Sequence, residues 1–297
     1  MKSNQSTGIL FAFGASLALA ASFVFSKSVL NHLTMVQFGL FWFSFGVIWN
    51  GAWFLSRREY KALKGSVGKK SAVAVVIALL EGGATGLFYL AIKAMENPAV
   101  VAFIGNIGPV FVSLMGIVLL KERFRRSQMA GILITITGLF VINYREGGFA
   151  GFMDPGAIFV ISASFLFAVA TIVGRRFHHY LVPGYMSLIR SFLLAAAMAV
   201  LFYRTGDLPE ITLPLWRDLA IGSFLETLIV IVFAYQALKL IEATRTSLII
   251  STKGVWTLIL AWIFLGVFPS ALQLAGGLLT LLGVWLITLK RSISPQG

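Results

Sequence analysis

Residues 97–119, NPAVVAFIGNIGPVFVSLMGIVL, decide the fold because the whole run carries no charged side chain. A helix needs about 20 apolar residues to cross the ~30 Å hydrocarbon core of a bilayer. Similar runs recur along the chain of 297 residues, of which 58% are hydrophobic and 12% are charged. Soluble domains carry about 25% charged residues, so too few charges remain here to cover a surface that faces water. The sequence therefore predicts an all-α integral membrane protein.

Ten apolar runs of this kind alternate with short connections. They are residues 8–29, 34–55, 71–92, 97–119, 127–143, 155–174, 183–203, 215–238, 244–265 and 271–289. The longest connections, residues 56–70 and 204–214, are too short to hold a soluble domain. We therefore expect ten transmembrane helices and no inserted domain.

The basic residues predict the orientation of these helices. If the N-terminus is cytoplasmic, the connections on that side hold 17 of the 24 Lys and Arg residues, and the other side holds five. Positive residues are enriched on the cytoplasmic side of membrane proteins, so we expect a multi-pass protein of the cytoplasmic (inner) membrane with both termini in the cytoplasm. The same distribution accounts for the net charge of +13 without a nucleic-acid partner, because no basic segment is long enough to fold as a binding module.

The chain contains an internal repeat. Matching segments are residues 8–11 (GILF) with 156–159 (GAIF), 89–96 (YLAIKAME) with 235–242 (YQALKLIE), and 128–131 (QMAG) with 273–276 (QLAG). The offset stays between 145 and 148 residues, which divides the chain into repeats 1–148 and 149–297 of five runs each. Because five is odd, the second half enters the membrane from the opposite side. Two inverted five-helix repeats around a central site are an architecture of many secondary transporters.

Several local motifs point to a known family. They are Tyr89-Leu-Ala-Ile, Asn97-Pro98-Ala99, Pro109 in mid-run, Lys121-Glu122, and Gly131 with Gly138. With these motifs the chain resembles the EamA-type branch of the drug/metabolite transporter superfamily over essentially its whole length. The second half departs from the pattern, because Val255 stands where Pro109 would repeat and no acidic residue matches Glu122. The resemblance implies a central cavity between the two EamA-like halves and transport of small organic metabolites, often amino acids or their relatives.

Two acidic residues lie within apolar runs. Glu81 and Glu226 are each in mid-run and fall within one position of repeat equivalence. An ionisable side chain at that depth costs about 2.5–3.5 kcal/mol on insertion scales and commonly marks a transport pathway. One interpretation is a site that couples transport to protons or binds a substrate amine. The other is a structural ion pair or hydrogen bond to a neighbouring helix.

Two basic residues also lie within runs. Arg190 is in Leu188-Ile189-Arg190-Ser191 and Lys253 is near the cytoplasmic end of run 244–265. Arg190 either binds a substrate carboxylate, which suits its forked guanidinium, or is locked in a pair with Glu226 or Glu81. Lys253 either lines the cavity or extends its ammonium group to the membrane interface.

The run that opens this section is interrupted at Gly105-Asn106-Ile107-Gly108-Pro109. Proline removes a backbone donor and kinks a helix, and irregular backbone at membrane depth is tolerated where it lines a cavity. Asn106 would then offer its amide to a substrate. The alternative is close helix packing by small residues.

Four aromatic residues complete the candidate site. Trp42 and Trp256 are interior, and they either line an apolar cavity or pack between helices. Tyr89 and Tyr235, near opposite ends of the inverted repeat, are candidate gate residues.

The remaining patterns exclude other functions. The chain has no cysteine, its three histidines form no metal-ligand spacing, and it carries no phosphate-binding loop or nucleophile elbow. We therefore expect a protein that is not an enzyme and that needs neither a metal nor a cofactor. The favoured function is a secondary transporter, and specifically an exporter, of small metabolites such as amino acids, working by alternating access with proton coupling as an option, as a monomer or a homodimer. The alternatives are a passive facilitator or channel and a non-transporting accessory subunit.

Overall fold

The computed structural model describes residues 2–63, 67–120, 126–144, 154–177, 182–205, 208–241, 246 and 249–288. Within these ranges all regular secondary structure is helical. The all-α class expected from the sequence is therefore what the structure contains. The predicted motif Lys121-Glu122 lies outside the described residues.

In the first half of the chain, side chains cap the starts of two helices. Its elements are α1 (Lys2–Leu30), α2 (Met35–Ser56), a 3₁₀ helix (Glu59–Leu63), α3 (Val67–Ala94), α4 (Pro98–Ile104), a 3₁₀ turn (Gly105–Ile107), α5 (Gly108–Leu120) and α6 (Arg126–Asn143). At the start of α2, the Thr34 hydroxyl accepts from the Gln37 N–H, and the Gln37 side chain accepts from the Thr34 N–H. This reciprocal capping satisfies two donors that a helix start leaves free. At the start of α4, Asn97 caps the N–H of Ala99 and Pro98 occupies the first turn.

The second half contains a π-helical turn. Its elements are α7 (Pro155–Arg176), α8 (Pro183–Thr205), α9 (Leu213–Phe224), the π turn (Leu225–Ile229), α10 (Val230–Leu240), α11 (Lys253–Leu265) and α12 (Ala271–Thr288). Helix α9 leads directly into the π turn, and α10 continues directly from its other end. Helix α11 ends at Gly266, whose φ of 67° lies in the left-handed region that favours glycine.

Seven helices within the described ranges are long and apolar enough to cross a membrane. They are Gln5–Leu30, Met35–Ser56, Gly68–Ala94, Pro98–Leu119, Arg126–Asn143, Pro155–Gly174 and Gly184–Arg204, and two shorter apolar helices are Ile249–Leu265 and Ala271–Ile287. The predicted run 215–238 corresponds to α9, the π turn and α10. A multi-span helical protein is thus established, whereas the count of ten spans and the inversion of the two halves stay predictions.

The outer surface of the bundle carries large apolar side chains. Leu10 is 70% exposed, Val118 is 73% exposed and Phe264 is 71% exposed. Exposure on this scale suits contact with lipid acyl chains, which satisfy apolar side chains as well as a protein interior does. The bundle interior contains fully buried Trp42 and Phe103.

Helices α6 and α12 approach each other until their backbones touch. A Cβ atom added to Gly131 would lie 2.6 Å from the carbonyl oxygen of Gly283, and one added to Gly138 would lie 2.7 Å from that of Gly276. The reverse contacts, from Gly276 to Gly138 and from Gly283 to Gly131, are 2.6 and 2.7 Å. Since real Cβ atoms do not approach carbonyl oxygens so closely, only glycine fits at all four positions.

Two lysines tie the end of α1 to the end of α3. The Nζ atom of Lys27 donates to the carbonyl oxygens of Met95 at 2.6 Å and Lys93 at 3.3 Å. Lys93 in turn donates from Nζ to the carbonyl oxygen of Leu33 at 2.9 Å. These bonds satisfy carbonyl groups that helix C-termini leave without an intrahelical partner, so this end of the bundle is fastened by side chains.

Candidate functional site

A cavity of about 250 Å³ lies in the interior of the bundle. It is lined by Leu19 and Phe23 of α1, by Thr85, Phe88 and Tyr89 of α3, by Gly105 and Gly108 at the helix break, by Ser164 and Phe167 of α7, by Glu226 of the π turn and by Lys253 of α11. The cavity therefore takes side chains from both halves of the chain. Its walls are largely aromatic and aliphatic, with a few polar groups, which is the usual composition of a small-molecule site.

The interrupted helix borders this cavity through its glycines. Gly105, the first residue of the 3₁₀ turn, and Gly108, directly after the turn, both line the cavity, and Pro109 follows with no N–H to continue the helical hydrogen bonds. Asn106 is buried and donates from Nδ2 to the hydroxyl of Thr280 at 3.2 Å. Asn106 thus fastens the break to α12, and the cavity wall at this point is formed by the two glycines. A substrate contact for Asn106 or Pro109 stays a prediction.

Arg190 and Glu226 form a buried ion pair. The Nη2 atom of Arg190 lies 3.0 Å from Oε1 of Glu226, and both side chains are about nine-tenths buried. Helix α8 carries Arg190, and the π turn carries Glu226. A π turn inserts one extra residue into a helix and often lies at a functional site. The pair was one of the two interpretations that the sequence left open for Arg190, and it places Glu226 at the cavity with one oxygen already engaged.

Glu81 of α3 faces the same pair. Its carboxylate is close enough to Arg190 and Glu226 to interact electrostatically with both. In the described part of the chain no hydrogen bond or ion pair of 4 Å or less reaches Glu81. Two carboxylates therefore lie within electrostatic range of one guanidinium, which is paired directly only with Glu226, and this cluster carries a net charge of about −1 unless one carboxyl is protonated.

Several buried polar atoms around this cluster have no hydrogen-bond partner among the described residues. They are Thr85 Oγ1, Arg190 Nε, Ser191 Oγ, Glu226 Oε2 and Thr227 Oγ1. Buried polar atoms are almost always paired in folded proteins, so a group of orphans indicates a place for water, for a ligand or for a second conformation. The orphans gather where α2, α3, α8 and the π turn meet.

Lys253 contributes a positive charge to the cavity wall. It is half-buried at the start of α11 and lines the cavity together with Glu226. No ion pair or hydrogen bond from Nζ of Lys253 is formed within the described ranges. The sequence left two interpretations open for Lys253, and the position of its side chain agrees with the one in which it lines the cavity.

Trp42 packs behind the cavity wall. Its ring is fully buried, 4.8 Å from that of Phe38 and 5.6 Å from that of Tyr89. Tyr89 itself lines the cavity, so the cluster of Phe38, Trp42 and Tyr89 backs one wall with rigid aromatic rings. Trp42 does not reach the lining.

Trp256 lies outside the cavity lining. The ring of Trp256 is 6.3 Å from that of Phe13 in an edge-to-face arrangement, which joins α11 to α1. Tyr235 lies on α10, and its side chain is outside the described part of the structure. A gating role for Tyr235, like that for Tyr89, stays a prediction.

Sequence reasoning missed several lining residues. Thr85, Ser164, Phe88 and Phe167 all line the cavity. A weak signal existed for Ser164, because Ala163-Ser164 repeats Ala15-Ser16 at the repeat offset. None existed for the others, since single Thr and Phe residues are common in membrane helices. In the described ranges no group of three or more acidic, His or Cys side chains is placed to hold a metal ion.

A multi-span helical protein with a partly charged internal cavity belongs to the class of integral membrane proteins that handle small molecules. The EamA-like transporter family model matches residues 6–144 and again residues 154–289, and the chain therefore belongs to that family. The resemblance seen in the sequence is confirmed.

Individual relatives agree with this assignment. The chain is 26% identical over 301 residues to an uncharacterized transporter of Archaeoglobus fulgidus, covering 97% of this chain and 99% of that protein. It is 23% identical over 233 residues to the uncharacterized transporter YyaM of Bacillus subtilis, covering 75% of each chain. A protein of known crystal structure has a similar fold, with a TM-score of 0.62 at 18% identity and coverage of 95% of this chain and 96% of that one.

Proposed function

We propose that this protein is a secondary transporter that moves a small organic metabolite across the cytoplasmic membrane by alternating access. The observation that carries the proposal is the cavity, because its lining comes from both segments that match the transporter family. A binding site at the meeting of two halves opens to opposite sides of the membrane when one half rocks against the other. The favoured direction is export, and amino acids or related compounds are the first candidates.

The contact between α6 and α12 supports two inverted halves. Gly131 and Gly138 occupy the same repeat positions as Gly276 and Gly283, at an offset of 145 residues. In the structure Gly131 meets Gly283, and Gly138 meets Gly276. Such crossed, reciprocal contacts are what a two-fold axis between equivalent elements produces. The repeats 1–148 and 149–297 are accordingly our proposed structural halves, with both termini in the cytoplasm.

The cluster of Glu81, Arg190 and Glu226 supports proton coupling. Arg190 engages Glu226 directly, whereas Glu81 has no direct partner in the described part of the chain. An unpaired carboxylate at membrane depth is costly, and protonation removes that cost. Glu81 is therefore the proposed proton carrier. Its protonation changes the electrostatic interaction with the nearby pair of Arg190 and Glu226.

Transport by purified protein in proteoliposomes tests this function. Vesicles loaded with unlabelled amino acids and organic acids are diluted into trace amounts of the same labelled solutes, with and without a pH gradient. We expect saturable counterflow of at least one solute and a faster initial rate with the gradient. Flux that neither saturates nor shows counterflow would identify a facilitator or channel, and no flux of any solute would favour an accessory subunit.

The coupling role is tested in the same vesicles. Glu81→Gln keeps the shape of the side chain and removes the titrating proton, so we expect counterflow to persist and the effect of the pH gradient to disappear. Glu210→Gln, at an exposed carboxylate in the connection before α9, is the matched control and leaves both unchanged. A Glu81→Gln variant that still responds fully to the gradient contradicts the coupling role.

A further inference from the structure

Four exposed basic residues lie together where α2 ends and α3 begins. Arg57 and Arg58 directly follow α2, Lys61 lies in the 3₁₀ helix, and Lys69 lies in the first turn of α3. We call these four residues the basic surface. Within the described ranges none of them forms an ion pair with a carboxylate, so the basic surface carries four charges without a counter-charge.

Side-chain contacts hold the basic surface in shape. The Nζ atom of Lys70 donates to the carbonyl oxygen of Ala62, which ties the first turn of α3 to the 3₁₀ helix. The guanidinium of Arg57 lies over the ring of Trp53, 4.7 Å from its centroid, and such a cation–π contact orients the charge. The basic side chains therefore project from a folded connection.

The acidic residue of this connection, Glu59, is turned away from the basic surface. Its Oε1 atom accepts from Nε1 of Trp53 at 3.2 Å. Its carboxyl group packs against the start of α8, because a Cβ atom added to Gly184 would lie 2.9 Å from Cδ of Glu59. Arg58, just before Glu59, has a φ of 54°, a left-handed conformation that is uncommon for arginine. The unusual turn thus accompanies an inward acidic group and outward basic groups.

The basic surface lies next to the part of the bundle that faces lipid. Leu55 is 65% exposed and precedes Arg57 by two residues, which is about 3 Å along a helix. On α3, Val76 and Leu79 are also exposed. Tyr60 is 43% exposed, and tyrosine is enriched where a membrane meets water. The basic groups therefore lie at the depth of the lipid headgroups.

We propose that the basic surface binds the headgroups of anionic phospholipids. The planar guanidinium of arginine matches the oxygens of a phosphate, and attraction to an anionic membrane surface adds about fivefold in affinity for each Lys or Arg. In the predicted orientation this surface faces the cytoplasmic leaflet, whose surface potential is negative. The inference goes beyond the proposed transport function and does not depend on it.

Competition between two lipids tests this inference with purified full-length protein in nonionic detergent. The protein is mixed with equal amounts of dioleoyl phosphatidylglycerol and dioleoyl phosphatidylcholine, and the lipids that it retains are counted by native mass spectrometry. Both lipids have the same acyl chains, so any preference comes from the headgroup. We expect the protein to retain phosphatidylglycerol in preference, and to lose part of that preference at high salt, which screens exposed charges.

Variants at the basic surface locate the preference. Arg57→Gln/Lys61→Gln/Lys69→Gln removes three of the four charges and keeps Arg58 at its unusual turn, so we expect the preference to fall at least about tenfold. If this variant does not fold, Lys61→Gln/Lys69→Gln decides, because it also keeps the contact of Arg57 with Trp53. We expect that variant to lose at least about fivefold.

A control with the same change in charge separates this surface from the net charge of the protein. Arg126→Gln/Arg176→Gln/Arg204→Gln removes three exposed positive charges elsewhere and should keep most of the preference for phosphatidylglycerol. For the variant with two substitutions the matched control is Arg126→Gln/Arg204→Gln.

Three results would overturn the inference: equal retention of the two lipids by the wild type, an unchanged preference in the basic-surface variants, or an equal loss in the controls. The last result would mean that lipid binding follows total charge. Failure of the transport function gives a different result, because absence of flux in proteoliposomes leaves the lipid preference and its loss in the variants unchanged.

Discussion

The contact between α6 and α12 and the centre around Arg190 are both buried, but they are built in opposite ways. At the first, four glycines bring two backbones into direct contact, and the nearby Thr135 hydroxyl is paired with the carbonyl oxygen of its own helix. At the second, an ion pair is surrounded by polar atoms without partners in the described residues. The first region suits a fixed joint, because its two backbones pack in direct contact and the Thr135 hydroxyl is hydrogen-bonded. The second suits a region that binds or moves, because its polar atoms need other partners.

Loss of Arg190 is expected to have the largest effect on stability. Arg190→Leu leaves the carboxylate of Glu226 buried without its partner, and removal of one member of a buried pair costs about 3–5 kcal/mol. The apparent unfolding temperature in detergent measures the loss. The double variant Arg190→Leu/Glu226→Leu removes both charges and should recover most of it. A double variant as unstable as the single one would contradict the account of this pair.

Widening the joint between α6 and α12 is expected to have the next largest effect. In Gly138→Val the new side chain meets the backbone of Gly276 and Thr280, and overpacking of this kind costs about 1–3 kcal/mol or more. The matched control is Gly86→Ala in α3, where an added Cβ has open space and alanine favours the helix. We expect Gly138→Val to unfold at a lower temperature and Gly86→Ala to equal or exceed the wild type. If Gly138→Val is as stable as Gly86→Ala, the backbones are not in contact.

The smallest stability effect is expected at the helix break. Asn106→Ala removes the hydrogen bond to Thr280, and side-chain hydrogen bonds between membrane helices average about 0.6 kcal/mol. Thr280→Val removes the same hydrogen bond from the other side and should lower the unfolding temperature by a similarly small amount. We expect solute binding to be unchanged in both variants. If Asn106→Ala abolishes binding and Thr280→Val does not, Asn106 contacts the solute directly, as the sequence suggested.

The sequence located well the residues whose role follows from their depth in the membrane. A pair of Arg190 with Glu226 was one of the interpretations that the sequence left open, because each is an isolated charge within an apolar run and an isolated charge at that depth needs a counter-charge. The glycines of α6 and α12 were found as a repeat, and the structure shows what the repeat does. Membership of the EamA-like transporter family likewise followed from short motifs.

The residues that the sequence located poorly are those whose position depends on rotation about a helix axis. Trp42 and Tyr89 were both candidates, but only Tyr89 reaches the cavity, whereas Trp42 packs behind it. A helix that is apolar all round has no periodic signal that separates its lipid side from its interior side. The lining by Thr85 and the π turn at Glu226 are set by packing between helices, which single-sequence patterns do not record.

The central claim is that this cavity is the transport pathway and opens to each side of the membrane in turn. The chain contains no cysteine, so Ser164→Cys places a single thiol at the cavity, and Ser26→Cys, at a fully buried position outside the lining, is the control. Membrane-impermeant thiol reagents are applied to right-side-out and inverted vesicles that contain each variant. The account predicts that Ser164→Cys is labelled from both sides, more slowly when solute is bound, and that Ser26→Cys is labelled from neither. Labelling of Ser164→Cys from one side only, or from neither, would contradict it.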